Sequence, residues 1–323
     1  MKTHRILAAT AFAAGLASAA AWAAPHSAAI QAPGPAGPLA GTLLMADAPD
    51  APVVLIIPGS GPTDRDGNNP LGVAASTYRL LAEALATKGV TTARIDKRGM
   101  FGSKAAISDP NKVTIGDYAA DVASWVKMLK ARTGRPCIWV AGHSEGGLVA
   151  LAAANDPDVC GLVLLSTAGR KLNVVMHEQI AANPANAPIA ADADTAIDAL
   201  AKGEHVDVSA MHPALAQGLF NPAVQDYLID VFRYDPALLI AKIGKPVLIV
   251  SGLEDKQVSR RDAEALAAAQ PRARLVLVAG MSHMLKQVAG EGVAANIATY
   301  TDPALPIDPA VVDAIATFVR PAA

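Results

Sequence analysis

The chain has 323 residues, a length that suits one large domain or two ordinary ones. A formal net charge of −2 gives no support to a nucleic-acid or anionic-membrane partner. Hydrophobic residues make up 52% but aromatics only 4%, so an aliphatic core with alanine-rich helices is expected.

Residues 1–23 have the layout of a secretory signal peptide. Lys2, His4 and Arg5 form a basic start, 6–20 form an apolar run, and Ala21-Trp22-Ala23 supplies an A-x-A cleavage site, which puts the mature start at Ala24. The run is short and rich in alanine, which favours cleavage and export over an uncleaved anchor helix. Residues 24–38, rich in Pro, Gly, Ala and Ser, read as a loose arm, and 39–45 as an edge strand. A buried strand over 51–57 ends in Pro58-Gly59-Ser60-Gly61-Pro62. A helix over 76–87, a strand over 90–95, the loop Asp96-Lys97-Arg98-Gly99 and an amphipathic helix over 115–132 follow. This alternation predicts an α/β fold with a mostly parallel sheet covered on both faces.

The stretch over 137–154 carries the strongest signal. A short apolar strand, Gly142-His143-Ser144-Glu145-Gly146 and an apolar helix start make a strand–turn–helix with G-x-S-x-G at the turn, the nucleophile-elbow arrangement. Glycines two before and two after the serine are needed where the turn packs too closely for a Cβ. Cys137 opens this strand and Cys160 the next, over 161–166. If those strands are parallel neighbours, the two sulfurs fall within bridging reach; a disulfide and two buried thiols both remain open, since register is not written in the sequence. Residues 169–242 lack good strands and carry helical stretches over 174–182, 191–202 and 222–232, which predicts a helical cap inserted between the core segments 24–168 and 243–323. The alternation resumes with a strand over 246–251, a helix over 259–269, a strand over 274–278 and a final helix over 309–319.

A serine hydroxyl needs a base, itself oriented by a carboxylate, and in folds built on this elbow the acid and then the histidine follow the serine. Of seven histidines only His283 falls in the loop after the last strand. Asp255 and Glu254 both follow the 246–251 strand, and the shorter Asp255 is favoured for the acid. The oxyanion needs two backbone N–H groups, for which Glu145 and Ser60, narrowly ahead of Gly61, are the candidates. Asp64-Arg65-Asp66-Gly67-Asn68 fails as a calcium loop, with Asn69 at the sixth position and Ala75 at the twelfth. No metal-ligand spacing or phosphate loop is present, so no cofactor or metal is expected.

Taken together, the segments 58–68, 96–99, 142–146 and 281–283 resemble a bacterial carboxylesterase-like group of the α/β-hydrolase superfamily, bordering the serine aminopeptidase-like hydrolases. The likeness extends through nearly all the mature chain, including 211–215 and 234–236. It implies the α/β-hydrolase fold with an eight-stranded sheet and a helical cap, and Ser144, Asp255 and His283 as a triad acting on small-molecule esters. One departure is an additional residue in the 97–103 loop, where relatives often have a shorter R-G-x-G spacing. A peptidase using the same triad, and a catalytically silent binding protein on the same fold, are the alternatives. Oligomeric state and natural substrate stay open.

Overall fold

The computed structural model of the protein describes residues 26–320, so the expected signal peptide and cleavage after Ala23 lie outside the described residues. Eight strands form one sheet: β1 (His26–Ala32), β2 (Leu39–Met45), β3 (Val53–Ile57), β4 (Thr91–Ile95), β5 (Ile138–His143), β6 (Val159–Leu165), β7 (Val247–Gly252) and β8 (Arg274–Val278). Their order is β1-β2-β4-β3-β5-β6-β7-β8, with the β1–β2 and β2–β4 pairs antiparallel and the rest parallel. The central strands are buried on both faces because their residues are apolar without interruption. Val53, Leu55 and Ile57 pack on one face, and Val54 and Ile56 on the other.

Helices cover both faces. On the first lie α2 (Ile115–Thr133), α3 (Glu145–Ala152) and α8 (Arg260–Ala269), contributing Trp125, Leu129, Val149 and Leu266 to the core. On the second lie α1 (Thr77–Thr87) and α10 (Pro309–Phe318), through Tyr78, Leu81, Leu85 and Ile315. Each fully buried aliphatic side chain of this kind contributes about 1.5–3 kcal/mol. A capping box fixes the start of α2: Asp117 N–H donates to Thr114 Oγ1 and Thr114 N–H to the Asp117 carboxylate. Gly134, at φ 69°, ends it in the left-handed conformation.

Between β6 and β7 the chain forms a helical insertion: α4 (Leu172–Ala182), α5 (Ala190–Ala201), α6 (Pro222–Phe232) and α7 (Pro236–Ile240). It has a hydrophobic cluster of its own, including Met176, Ile197, Leu200, Phe220 and Phe232. Arg170, at its root, grips Asp262 of α8 through Nε (3.0 Å) and Nη2 (2.8 Å) and reaches Glu178 of α4.

Two sequence expectations are corrected. Residues 24–38 are not a loose arm throughout, because β1 lies within them and is the edge strand, which makes Leu39–Met45 the second strand. Only Ile30 and Ala32 of β1 are buried, too few to show an alternation. A helix over Gly292–Thr301 (α9) also stands before the final one, with Asn296 and Thr299 as its buried residues.

Cys137 and Cys160 are joined in a disulfide, with a Cα–Cα distance of 5.1 Å and a sequence separation of 23. Trp139 pairs with Gly161 and Ile138 with Val159, so the register shifts between these rungs and Cys160 is the extra residue. The bridge staples β5 to β6 at the end of the sheet remote from Ser144. Closing a loop of this length is worth about 3 kcal/mol. Cys137→Ser/Cys160→Ser is expected to lose about that much stability in denaturant titration, with reductant changing the parent and not the variant.

Candidate active site

Ser144 sits at the carboxyl end of β5, at the start of α3, with φ 54° and ψ −120°, a strained conformation for a residue with a side chain. The strain is imposed by close packing. A Cβ on Gly142 would collide with the carbonyl oxygen of Gly146, and a Cβ on Gly146 with the carbonyl oxygen of Ile57 on β3. Ser144 N–H donates to Leu165 O (2.9 Å), which ties the turn to β6.

Asp255, in the loop after β7, and His283, in the loop after β8, meet at this end of the sheet. His283 Nδ1 donates to Asp255 Oδ2 at 2.8 Å, and both residues are buried. Asp255 Oδ1 accepts from Gln257 N–H (2.8 Å) and Val258 N–H (2.9 Å). Burial alone would raise the Asp255 carboxyl. The charge of His283 and these hydrogen bonds outweigh it and hold the carboxyl below the ordinary aspartate value. His283 Nε2 forms no hydrogen bond among the described residues, and His283 and Ser144 line one cavity of about 150 Å³. The neighbouring Glu254 is turned outward, where it pairs with Lys256 at 2.9 Å.

The loop after β3 supplies Gly59 and Ser60. Gly59 N–H is committed, donating to Tyr78 Oη (2.9 Å), whereas the N–H groups of Ser60, Gly61 and Glu145 have no partner among the described residues. The carbonyl oxygen of Gly59 accepts from Lys97 Nζ at 2.7 Å, and the same ammonium lies 3.2 Å from Glu145 Oε1. Lys97 and the Glu145 side chain are both buried. Glu145 therefore has a side-chain role that the motif alone did not suggest. Arg98, next in the chain, is locked to Asp121 through two hydrogen bonds of 2.7 Å. Asp96 accepts from Arg65 N–H (2.9 Å) and Arg65 Nε (3.1 Å), so the charges of 96–98 brace loops. Asp64 Oδ1 caps its own turn by accepting from Asp66 N–H and Asn68 N–H. No group of His, Cys, Asp and Glu able to hold a metal ion occurs among the described residues.

His143, in the elbow itself, is one of the six histidines that sequence reasoning set aside. Its Nε2 faces the main-chain oxygen of His283 at 2.8 Å, an acceptor only, so Nε2 carries the proton. Nδ1 then accepts from Tyr78 Oη at 2.9 Å. The chain Gly59–Tyr78–His143–His283 thus ties the loop after β3 to the loop that bears His283. Nothing in the spacing of these residues could have announced it.

A cavity of about 340 Å³ lies on the other side of Ser144, under the helical insertion. Leu148, Val175, Met176, Ile180, Leu228 and Val231 are among its apolar walls. Gln179 of α4 reaches across and donates to the main-chain oxygen of Gln257 at 2.7 Å. No helix among the described residues is long and apolar enough to cross a membrane.

An eight-stranded sheet of this order, with a serine elbow at its centre and a buried Asp–His pair beside it, defines a class. The chain belongs to the alpha/beta hydrolase family, whose family model matches residues 53–295. It is 26% identical over 248 residues to Esterase EstD of Thermotoga maritima, covering 75% of this chain and 56% of that one. The chain thus spans little more than half the length of that relative. Among solved structures, Est1E from Butyrivibrio proteoclasticus aligns with a TM-score of 0.55 at 19% identity, over 90% of this chain and 98% of that one. A puromycin-hydrolyzing peptidase of Mycobacterium tuberculosis aligns with a TM-score of 0.55 at 17% identity, over 91% of this chain and 39% of that one. At such identities the two structures speak to the fold.

Burial, reinforced by the charge of His283, pushes His143 down to about 3. The unfolded chain takes up a proton near pH 6.5 that the folded chain refuses. The contribution of neutral His143 to stability is therefore complete above pH 6.5 and lost as the pH falls toward 3, at up to about 1.4 kcal/mol per pH unit. Urea titrations between pH 7 and 4 should show this slope, and His143→Gln should flatten it.

Proposed function

We propose that this protein is an exported serine hydrolase that cleaves carboxylic esters through an acyl-enzyme. The observation that carries the reading is the buried 2.8 Å Asp255–His283 pair, sharing a cavity with a serine held in a strained elbow. Ser144 Oγ attacks the ester carbonyl while His283 Nε2 takes its proton. Asp255 keeps the proton on Nδ1 and stabilises the imidazolium. His283 then returns the proton to the leaving alcohol, and water repeats the cycle on the acyl-enzyme. Substrate binding brings Ser144 Oγ and His283 Nε2 into hydrogen-bond contact, as such pairs commonly tighten in the complex.

The N–H groups of Ser60 and Glu145 receive the oxyanion. Lys97 acts here as a positioning residue. Gly59 C=O and Ser60 N–H belong to one planar trans peptide unit, so the ammonium that grips the oxygen also aims the N–H at its other end. Its charge further polarises that unit and strengthens the donor. The helical insertion serves as a cap over the apolar cavity and sets acyl preference. The signal-peptide layout of residues 1–23 supports export, and the Cys137–Cys160 bridge suits an oxidising compartment.

Ser144→Ala is expected to reduce turnover of short acyl esters by about 10⁴- to 10⁶-fold with the fold unchanged. Asp255→Asn is expected to cost about 10⁴-fold. Aminoacyl amides assayed beside the esters should be poor substrates; efficient amide cleavage with little ester cleavage would reverse the assignment. Lys97→Met is expected to lower kcat by about 10- to 10²-fold with a smaller change in KM, measured on the same esters. A change confined to KM would remove the positioning role.

A further inference from the structure

Ser144 borders two cavities, of which the smaller is the more polar in proportion. The larger, of about 340 Å³, is bordered mainly by aliphatic side chains; the smaller, of about 150 Å³, has Asn69, Thr63 and Tyr300 beside His283, and Gln257 borders both. His283 borders the smaller cavity and not the larger. That asymmetry orients a substrate. The carbon attached to Ser144 in the tetrahedral intermediate bears the oxyanion, the leaving oxygen and the acyl chain. Ser60 and Glu145 take the oxyanion. The leaving oxygen has to reach His283 Nε2, because the proton lifted from Ser144 must be delivered to it as the carbon–oxygen bond breaks. The acyl chain is left with the remaining direction, into the aliphatic cavity.

The smaller cavity also holds unspent hydrogen-bonding capacity. Tyr300 Oη accepts from Gln257 Nε2 at 2.9 Å, which leaves the phenol proton free to donate. Burial pushes Tyr300 up to about 12, so that proton is retained across the working range. Gln257 Oε1 accepts nothing among the described residues, and one Asn69 N–H remains after the other donates to Thr63 Oγ1 at 3.3 Å. Two donors and an acceptor border one small space, and an alkyl alcohol there would displace water from them and offer no hydrogen bond in its place. A cavity of about 150 Å³ has room for a short polyol.

We propose that the smaller cavity seats the alcohol portion of the substrate and that this portion is a short polyol. The substrate class is then an aliphatic acyl ester of a hydroxylated alcohol such as a glycerol unit. The inference rests on the ester-hydrolase reading and narrows it. Gln257 is bonded through its N–H to Asp255 and through its oxygen to Gln179 of α4, so the residue that tests the alcohol is built into the acid loop.

The experiment compares kcat/KM of the full mature protein on three esters: glyceryl hexanoate, propyl hexanoate and hexyl glycerate. The glyceryl ester should be favoured over the propyl ester by about tenfold, the worth of one hydrogen bond. It should also be favoured over hexyl glycerate, which presents the same groups in the reverse orientation. Tyr300→Phe should shrink the glyceryl-to-propyl ratio severalfold. A ratio of one or less in the parent, an unchanged ratio in Tyr300→Phe, or a preference for hexyl glycerate overturns the proposal and leaves the hydrolase reading intact. Failure to cleave any of the three, with no labelling of Ser144 by a fluorophosphonate, removes the reading beneath it.

Discussion

The packing of three backbones around Ser144 is the constraint on which the rest of the site depends. The turn after β5 presses against β3 and against the first turn of α3 so closely that neither Gly142 nor Gly146 can carry a Cβ. That contact fixes where the serine side chain emerges, and it is possible because β3 and β5 are hydrogen-bonded neighbours in the middle of the sheet. The conformational cost of a serine at φ 54°, of order 1–3 kcal/mol, is borne by the apolar strands behind it. A looser core would let the turn relax and the serine withdraw.

Around this turn the loops are held by buried charge. Lys97 with Glu145, and Arg98 with Asp121, are ion pairs whose members are almost wholly withdrawn from water. Such pairs add little net stability over an apolar replacement, but deleting one member typically costs about 3–5 kcal/mol. Their use here is geometric. Both cations belong to the loop after β4: Arg98 anchors it to α2, and Lys97 joins it to Gly59 and Glu145, so that with the Tyr78–His143 chain the ends of β3, β4, β5 and β8 form one frame. The uncharged members matter as much, since neutral His143 donates a hydrogen bond to the His283 main chain without bringing a positive charge beside the imidazole.

The parts of this fold that the sequence made legible are those where one physical signal dominates. Val53–Ile57, Ile138–His143 and Val247–Gly252 are continuous apolar runs, and chain order alone separated His283 from six other histidines. Two elements escaped because their burial is slight. In β1 small residues blur the alternation, and in α9 the apolar Val293 and Ile297 face outward while Asn296 and Thr299 face inward. The Cys137–Cys160 pairing stayed open since it turns on register, and the strand pair does slip by one residue there. Pairs such as Lys97–Glu145 and Tyr78–His143 join positions 48 and 65 residues apart, and no periodicity within either segment encodes them.

The Gly59 peptide groups bear on how this loop can move. In a crankshaft rotation one amide plane turns over while its neighbours barely shift. At Gly59 the plane before the α-carbon is pinned by its nitrogen to a phenol, and the plane after it by its oxygen to an ammonium. A crankshaft turn of either plane would break one of these two bonds, so the peptide that carries the Ser60 N–H is held in place before any ligand arrives.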